Sequence, residues 1–228
     1  MSNALTTFLD KVELPVLSDE ALAEAIRDAQ QEDGYTGRDN LTYIDFSGKL
    51  GRYRAGRDKE DMDPARLFFF EPMTALKGWI CWKDGRPVGR VEWPYLLKDR
   101  EVSRDELDDH GPYNEGRGEG WFQSRGFGVI ALDGSGEQYK FSTNTVSAKN
   151  AVEDVMNSIA GNASKAQPSL PIIRFEKEEF EAQGQKNWKP KFVIEAWVTR
   201  EAATAYFDGG LPLEDLLNGV EPKKLAKK

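Results

Sequence analysis

The stretch that decides the fold begins with WFQSRGFGVIAL at residues 121–132, continues through DGSG at 133–136 and ends with EQYKFST at 137–143. The two outer runs carry the β-branched and aromatic residues that are typical of strands. The four residues between them tolerate the positive φ angles of a tight reversal. The pattern therefore predicts an antiparallel β-hairpin.

The register of this hairpin decides which side chains face the core. A four-residue loop places Ile130 opposite Tyr139 and Gly128 opposite Phe141. One face then carries a core-like set: Phe122, Ile130, Leu132, Tyr139 and Phe141. The other face mixes aromatic, basic and amide side chains: Trp121, Gln123, Arg125, Phe127, Gln138, Lys140 and Ser142. We take this second face as the candidate ligand surface, because a purely structural outer face rarely needs such a mixture.

A helix and a second hairpin follow. Ser147 is a suitable N-cap and Gly161 a suitable helix end. Apolar residues recur between them at helical spacing, namely Ala151, Val152, Val155, Met156 and Ile159. The runs LPIIRFEKEEF at 170–180 and WKPKFVIEAWV at 188–198 flank a polar loop, and the second run alternates with a period of two. The predicted order is strand, strand, helix, strand, strand.

This order fits an OB-fold, a five-stranded Greek-key barrel, if one more strand precedes it. We assign that first strand to residues 41–54 and predict a mainly β (α+β) protein. Its architecture is an elaborated five-stranded OB barrel with a helix between strands 3 and 4, an extra hairpin and terminal helices. The predicted boundaries are a helical arm at 1–38, the barrel at 39–200 with an inserted hairpin at 78–93 and an acidic loop at 96–120, and a tail at 201–228.

The inserted hairpin, GWICWKDGRPVGRVEW at 78–93, is the strongest hairpin signal in the chain, since Asp84-Gly85 is a preferred type I′ pair. Its register pairs Trp79 with Arg90 and places both on one face. Three tryptophans in so short a hairpin cannot easily all be buried, so the pattern predicts at least one exposed ring.

Composition bounds the functional classes. With 228 residues, 39% of them hydrophobic, the chain can bury a substantial core. A net charge of -8 argues against a protein that coats duplex nucleic acid by bulk charge, but it allows a local basic groove. Cys81 is the only cysteine and His110 the only histidine, which argues against disulfides and Cys/His zinc sites. No apolar run approaches the roughly 18 to 20 residues of a membrane span, so we expect a cytoplasmic protein with no membrane partner.

Sequence motifs for catalysis are absent. The chain contains no Walker loop, no G-x-S-x-G motif and no paired-glycosidase signature. We therefore predict no enzyme activity, no catalytic residue, no cofactor and no metal. The acidic loop leaves one alternative open, a metal-dependent nuclease that uses Asp105, Asp108 and Asp109. We favour a solvated acidic loop, because charge runs are usually solvated faces.

Basic and aromatic side chains are interleaved on several predicted strands. The run KLGRYRAGRDK at 49–59 is equally consistent with a phosphate clamp and with a solvated hairpin. Single-stranded nucleic acid requires this combination, because each base offers a stackable face and each link a phosphate. The predicted nucleic-acid-binding residues are Lys49, Arg52, Tyr53, Arg54, Trp79, Arg90, Trp121, Arg125, Phe127, Lys140, Lys186, Trp188 and Lys189.

The chain resembles phage-encoded single-stranded DNA-binding proteins of the OB-fold type. The resemblance lies in YIDFSGKLGRYRAG, GWICWKDGRPV, RGFGVIALDGSGEQYKFST and GQKNWKPKFVIEAW, which together cover most of residues 41–198. It implies a non-catalytic accessory of phage DNA replication or recombination in the host cytoplasm, with single-stranded DNA and replication or recombination proteins as partners. Several members of that family end in an acidic tail that recruits proteins, whereas this chain ends in PKKLAKK.

A second class of function competes with this one. The net charge of -8 also favours an acidic protein-interaction or inhibitor module that acts on a host or phage partner. The preference between DNA and RNA, the size of the binding site and self-association into a homo-oligomer stay open at this stage.

Overall fold

The computed structural model describes residues 41–97, 100–114, 116, 118–165, 168–182 and 184–220. The predicted helical arm at 1–38 and the basic end of the chain at 221–228 lie outside these residues. Within the described ranges, no helix has the length and apolar character needed to cross a membrane.

Strands dominate the described part of the chain. The strands are β1 Thr42–Ser47, β2 Arg52–Ala55, β3 Glu60–Asp61, β4 Leu67–Phe70, β5 Leu76–Lys83, β6 Arg86–Pro94, β7 Gly120–Ala131, β8 Gln138–Thr143, β9 Leu170–Ala182 and β10 Gln185–Val198. The helices are α1 Val146–Ala163, α2 Arg200–Phe207 and α3 Leu213–Leu217, with 3-10 turns at Pro72–Thr74 and Arg104–Glu106.

The strands form one ten-stranded mixed sheet in the order β10-β9-β4-β7-β8-β1-β2-β3, and β5 and β6 join it at β7. β1 runs parallel to β8, whereas the other paired strands are antiparallel. The predicted mainly β class is confirmed. The sheet is not closed by a continuous ladder, however, and it has twice the five strands that the barrel prediction required.

Residues 41–54, which the sequence predicts as one strand, form two strands and a turn. Gly51 has a φ of 62° and its N–H donates to the Ser47 carbonyl at 2.7 Å, which closes the reversal. A Cβ at Gly51 would lie 2.6 Å from the indole of Trp188 on β10. The turn thus exists because a glycine accepts both the positive φ and the close approach of a distant aromatic ring.

The inner face of the sheet holds an aromatic core that α1 covers. The predicted helix is present, but its N-cap is Thr145 and it ends at Ala163, so Ser147 and Gly161 lie within it and not at its ends. Its buried residues are Ala148, Ala151, Val152, Val155, Met156 and Ile159. Rings from six strands pack beneath it: Tyr53, Phe68, Phe127, Phe141, Phe175 and Phe192. The opposite face is covered at β4 by α2, where Phe69 and Phe207 meet at 5.7 Å between ring centroids.

The first hairpin is one residue out of the predicted register. Val129 pairs with Tyr139 and Phe127 pairs with Phe141, whereas Ile130 pairs with Gln138. Directly opposed residues project to the same face of a sheet, so Phe127 faces the core with Phe141. The predicted ligand face is therefore wrong: Phe127, one of its two aromatic members, is interior, and its other members divide between the two faces of the sheet.

The physical cause of the shift lies at the end of β7. The Ala131 N–H donates to the Glu137 carbonyl at 2.9 Å, so five residues form the loop instead of four. Leu132 turns away from the hairpin, because its N–H donates to the Leu67 carbonyl at 3.0 Å. Its own carbonyl accepts from the Tyr206 hydroxyl at 2.9 Å. Partners remote in the sequence thus set the loop length.

Candidate nucleic-acid interface

Four of the predicted cations share the outer face of the sheet, the face opposite α1. Directly opposed residues on paired strands project to the same face of a sheet, so the pairing of the strands places these side chains. The pairs are Lys140 with Gly128 and Tyr43, Arg54 with Asp45, Arg52 with Ser47, and Arg90 with Ile80. The four cations are Arg90 on β6, Lys140 on β8, and Arg52 and Arg54 on β2. We call this surface, from β6 across β5, β7, β8 and β1 to β2, the outer cationic face.

Glu92 links two of these cations. Its Oε1 lies 2.8 Å from Arg90 Nη1 and its Oε2 lies 2.8 Å from Lys140 Nζ. The Arg90 Nη1 also donates to Ser142 Oγ at 3.0 Å, and Lys140 Nζ lies 5.9 Å from the ring centroid of Tyr43. The three charged side chains are 13 to 22% exposed, so they are held along the sheet rather than extended into solvent.

The electrostatics of Glu92 follow from these contacts. Burial alone would raise the pKa of its carboxyl, but Lys140 and Arg90 outweigh burial and lower the pKa below the ordinary value of 4.5. A carboxyl whose folded pKa is depressed stabilises the fold above its unfolded pKa, and this contribution is lost as the pH falls through the folded value.

We expect the Glu92→Gln variant to be less stable than the parent protein near neutral pH. The difference in free energy of unfolding should shrink as the pH falls below about 4.5, because the parent carboxyl then becomes protonated and neutral as well. Urea unfolding at a series of pH values measures it. A difference that stays constant from neutral to acidic pH would contradict the assigned ion pairs. Glu60→Gln, an exposed carboxylate on β3, is the control.

The β1 and β2 end of the outer cationic face is more exposed. Arg54 Nη2 and Lys59 Nζ approach Asp45 Oδ2 at 2.7 and 3.4 Å, and Arg52 Nη1 approaches Asp61 Oδ2 at 2.7 Å. With Arg90, Lys140 and Glu92, these residues make five cations against three carboxylates. The local charge of the named residues is thus positive on a chain whose net charge is -8.

Two predicted stacking residues are interior. Phe127 is 1% exposed within the aromatic core. Tyr53 is buried, its hydroxyl donates to the Glu176 carbonyl at 2.7 Å, and it accepts from the Lys191 N–H at 3.1 Å. Burial also raises the pKa of Tyr53. In this fold neither ring presents an exposed face to a base, which counts against the stacking role predicted for both.

Trp79 and Trp121 hold down the acidic segment, residues 100–114. The Trp79 indole N–H donates to the Val102 carbonyl at 2.9 Å, and the Trp121 indole N–H donates to the Asp108 carbonyl at 2.8 Å. Lys83 Nζ adds donations to the carbonyls of His110 and Gly111 at 2.7 and 3.1 Å. The backbone of the segment therefore lies against the β5 and β6 hairpin, while the side chains of Asp105, Asp108 and Asp109 are exposed to solvent as predicted.

The pairing of Arg90 also departs from prediction. The Asp84-Gly85 turn pairs Lys83 with Arg86 as the sequence indicates, but the register shifts between Cys81 and Trp82. Beyond this bulge Arg90 pairs with Ile80 instead of Trp79. Because neighbouring residues of a strand alternate, Arg90 and Trp79 occupy opposite faces. The extra residue follows Pro87, which has no N–H for the ladder.

We expect Trp79→Phe to release the acidic segment, because phenylalanine keeps an aromatic ring but lacks the donor to Val102. The lost hydrogen bond is worth about 1 kcal/mol locally. Limited proteolysis should then cut within residues 100–114 several times faster than in the parent protein. Trp197→Phe, remote in sequence and without this contact, is the control. Equal cleavage rates in all three proteins would contradict the anchoring role.

The acidic side chains of this segment do not assemble a metal site. Asp109 Oδ1 accepts from the Gly111 N–H at 2.8 Å, and Asp105 lies in the 3-10 turn Arg104–Glu106. In the described part of the chain, no three His, Cys, Asp or Glu side chains converge as metal ligands.

Four more predicted residues lie where β9 and β10 extend beyond the rest of the sheet or at the adjacent β1–β2 turn. We call residues 176–182 of β9 and 185–190 of β10 the β9–β10 arm. The four residues are Lys49, Lys186, Trp188 and Lys189. Lys186 and Lys189 form ion pairs with Glu179 and Glu178 at 2.9 and 2.8 Å. The Trp188 N–H donates to the Gly48 carbonyl at 2.9 Å, and Lys177 Nζ lies 4.4 Å from its ring centroid. Lys49 is exposed in that turn.

The last predicted cation, Arg125, lies on the α1 side of β7. It pairs with Thr143 and its Nε donates to Glu153 Oε1 at 2.7 Å. The predicted site residues did not include its neighbours Lys77 and Lys149, nor Tyr43 and Glu92 on the outer cationic face. Alternation along β1 could have placed Tyr43, but the other three positions require the pairing of strands that are distant in sequence.

Comparisons with known proteins give no family model, no curated protein and no solved structure that matches this chain.

Proposed function

We propose that the protein binds single-stranded DNA, without catalysis, across the outer cationic face. The observation that carries the proposal is the row of cations on β6, β8 and β2, in which each cation is held against the sheet by a carboxylate. The pairs of Arg52 with Asp61 and of Arg54 with Asp45 are the more exposed ones. Exposed ion pairs contribute only about 0 to 1 kcal/mol, so phosphate groups can replace these two carboxylates at little cost. Charge-assisted contacts to phosphates then supply affinity.

We further infer that the core is an expanded OB-type arrangement. β4 with β5 takes the place of strand 1, β7 and β8 the places of strands 2 and 3, and β9 and β10 the places of strands 4 and 5. Three features support this assignment: β4 pairs with both β7 and β9, α1 lies between β8 and β9, and β8 and β10 point the same way. In the sheet, the β1–β2 hairpin lies beside β8, at the position that strand 5 would occupy in a closed barrel.

This assignment places the candidate residues where OB-folds bind their ligands. Such folds use the face of strands 2 and 3 and the two loops beside it. Here that face carries Lys140, and the connection between the fourth and fifth strands is the β9–β10 arm, which contains Trp188. Tyr43 and Phe122, both partly buried on the outer cationic face, are the rings proposed to meet bases. Stacking contributes about 1 to 3 kcal/mol per base.

The test is fluorescence anisotropy of labelled oligo-dT at several salt concentrations. Anisotropy is preferable to tryptophan emission, because Trp79 and Trp121 are engaged with the acidic segment. We expect affinity to fall with salt, and Lys140→Gln and Arg54→Gln each to reduce the magnitude of the log–log slope by about 0.7 per lost phosphate contact. Lys165→Gln, an exposed charge just after α1, is the matched control.

Two outcomes would overturn the proposal: no binding of oligo-dT at low salt, or binding that both outer-face variants leave unchanged. Duplex DNA and oligo-rU, titrated in parallel, decide whether single strands and deoxyribose are preferred. Duplex binding as tight as that of oligo-dT would also count against the proposal, because the described face presents no helix for a major groove.

One observation favours the second class, an acidic protein-interaction module. β9 pairs with β4 only over Ile172–Arg174, so its edge from Phe175 onward has no neighbouring strand within the described residues. That edge carries Glu178, Glu179 and Glu181, and an extended basic segment of a partner could add to it. Stoichiometric, nuclease-resistant capture of a protein that Glu181→Lys abolishes, without oligo-dT binding, would support this class instead.

A further inference from the structure

A second cation cluster lies on the opposite side of the sheet, where α1 begins. Lys77 on β5 pairs with Arg125 on β7, and Arg125 pairs with Thr143 at the end of β8. These three residues therefore form a row across adjacent strands. Lys149, in the first turns of α1, lies close enough to Arg125 for the guanidinium to lower the pKa of its ammonium, after the larger effect of burial.

The cluster contains one carboxylate, Glu153, and both of its oxygens are engaged. Oε1 accepts from Arg125 Nε at 2.7 Å, and Oε2 accepts from the Tyr95 hydroxyl. Burial raises the pKa of Tyr95 to about 12, so its hydroxyl remains protonated and donates to Glu153. The carboxylate is thereby committed to Arg125 and Tyr95.

Burial alone would raise the pKa of Glu153, but the hydrogen bonds from Tyr95 and Arg125 and the charges of Arg125 and Lys77 lower it. Neither lysine forms an ion pair with this carboxylate, so Lys77 acts on it only through its charge. Lys77 Nζ lies 4.3 Å from the ring centroid of Tyr95, and no carboxylate of the described residues is within ion-pair distance of Lys77 or Lys149. Both side chains are partly buried. The cluster thus gathers three cations around one carboxylate. Because the side chains are partly buried, water and salt screen the repulsion between the cations less than they would in bulk solvent. An anion placed among them would relieve that repulsion.

We propose that Lys77, Arg125 and Lys149 form a binding site for a phosphate group, distinct from the outer cationic face. A phosphate offers several acceptor oxygens, which suits two ammonium groups and the remaining donors of one guanidinium. Glu153 holds Arg125 in place and limits the excess charge. The phosphate can belong to a free phosphate or monoester, or to the backbone of a polynucleotide that passes around the edge of the sheet.

The experiment compares sodium phosphate with sodium chloride at matched ionic strength and neutral pH. The midpoint temperature of thermal unfolding of the parent protein should rise more with phosphate than with chloride, because a ligand that binds the folded state stabilises that state. We expect Lys149→Gln and Lys77→Gln each to weaken phosphate binding about tenfold, as the loss of a charge-assisted contact implies. Lys165→Gln should respond as the parent does.

An NMR titration of the Lys149 side chain supplies a readout that does not depend on stability. Bound phosphate should raise the pKa of Lys149, because a neighbouring anion favours the charged form. The proposal is overturned if phosphate acts no differently from chloride, or if both glutamine variants keep the parent response.

Oligo-dT distinguishes the two sources of the phosphate. If Lys149→Gln weakens oligo-dT as well as phosphate, the site holds a backbone phosphate; if it weakens phosphate alone, the ligand is free phosphate or a monoester. The same experiments show separately whether oligo-dT binds the outer cationic face. If it does not, Lys140→Gln leaves oligo-dT binding unchanged while the response to phosphate persists.

Discussion

Replacing Phe127 with alanine is expected to lower the free energy of unfolding by about 3 to 5 kcal/mol. The side chain is 1% exposed, and its ring lies 4.7 Å from Phe70, 5.4 Å from Phe141 and 5.1 Å from Phe192 between centroids. Alanine leaves a cavity that these rings, which lie on three different strands, would have to close together. Urea unfolding followed by far-ultraviolet circular dichroism measures the change.

Phe122→Ala is the matched control, because Phe122 lies on the same strand but is only partly buried on the opposite face. Its loss of stability should be clearly smaller than that of Phe127→Ala. The outcome also separates two functions for Phe127. If Phe127→Ala kept its stability but lost oligo-dT binding, the residue would be the stacking platform that the sequence pattern predicted.

Replacing Arg200 with methionine is expected to lower the free energy of unfolding by about 2 to 4 kcal/mol. Glu71 is 2% exposed, and its carboxylate accepts from Arg200 Nη1 at 2.8 Å and from Nη2 at 3.1 Å. The Met73 N–H adds a donor at 3.3 Å. The estimate lies below that for a fully buried pair because the Arg200 side chain is 43% exposed.

The Glu71→Gln variant in the Arg200→Met background provides the second half of this test. It removes the unpartnered charge, so it should recover part of the lost stability in urea unfolding. Glu201→Gln, at the exposed neighbouring position, should have little effect. A single Arg200→Met variant as stable as the parent would show that the Glu71–Arg200 ion pair does not stabilise the packing of α2 against the chain just after β4.

The predicted order of elements agrees with the structure where local signals decide. The Asp84-Gly85 turn and the apolar spacing of α1 are properties of neighbouring residues, so they can be read directly from the chain. The single strand predicted at 41–54 shows the limit of this reading. Gly51 turns there partly because Trp188, far along the chain, occupies the space that a side chain would need.

The candidate site was predicted less well than the order of elements. Arg52, Arg54, Arg90 and Lys140 do share a face, but Arg90 reaches it only through the bulge in the inserted hairpin. A shift of one residue exchanges the two faces of a strand, and such shifts arise at Leu132 and after Pro87 from contacts or backbone chemistry that periodicity does not encode. Phe127 faces the core instead of the predicted ligand surface because of the shift at Leu132.

The sequence by itself determined the mainly β class, the two hairpins around a helix and the interleaving of cations with aromatic rings, because periodicity and turn chemistry act between near neighbours. Only the tertiary structure decided which rings are buried, which tryptophans anchor the acidic segment and which cations share Glu92 or surround Glu153. Those outcomes depend on the register between strands that are remote along the chain. Register is chosen by the packing of the whole core, so no local pattern specifies it.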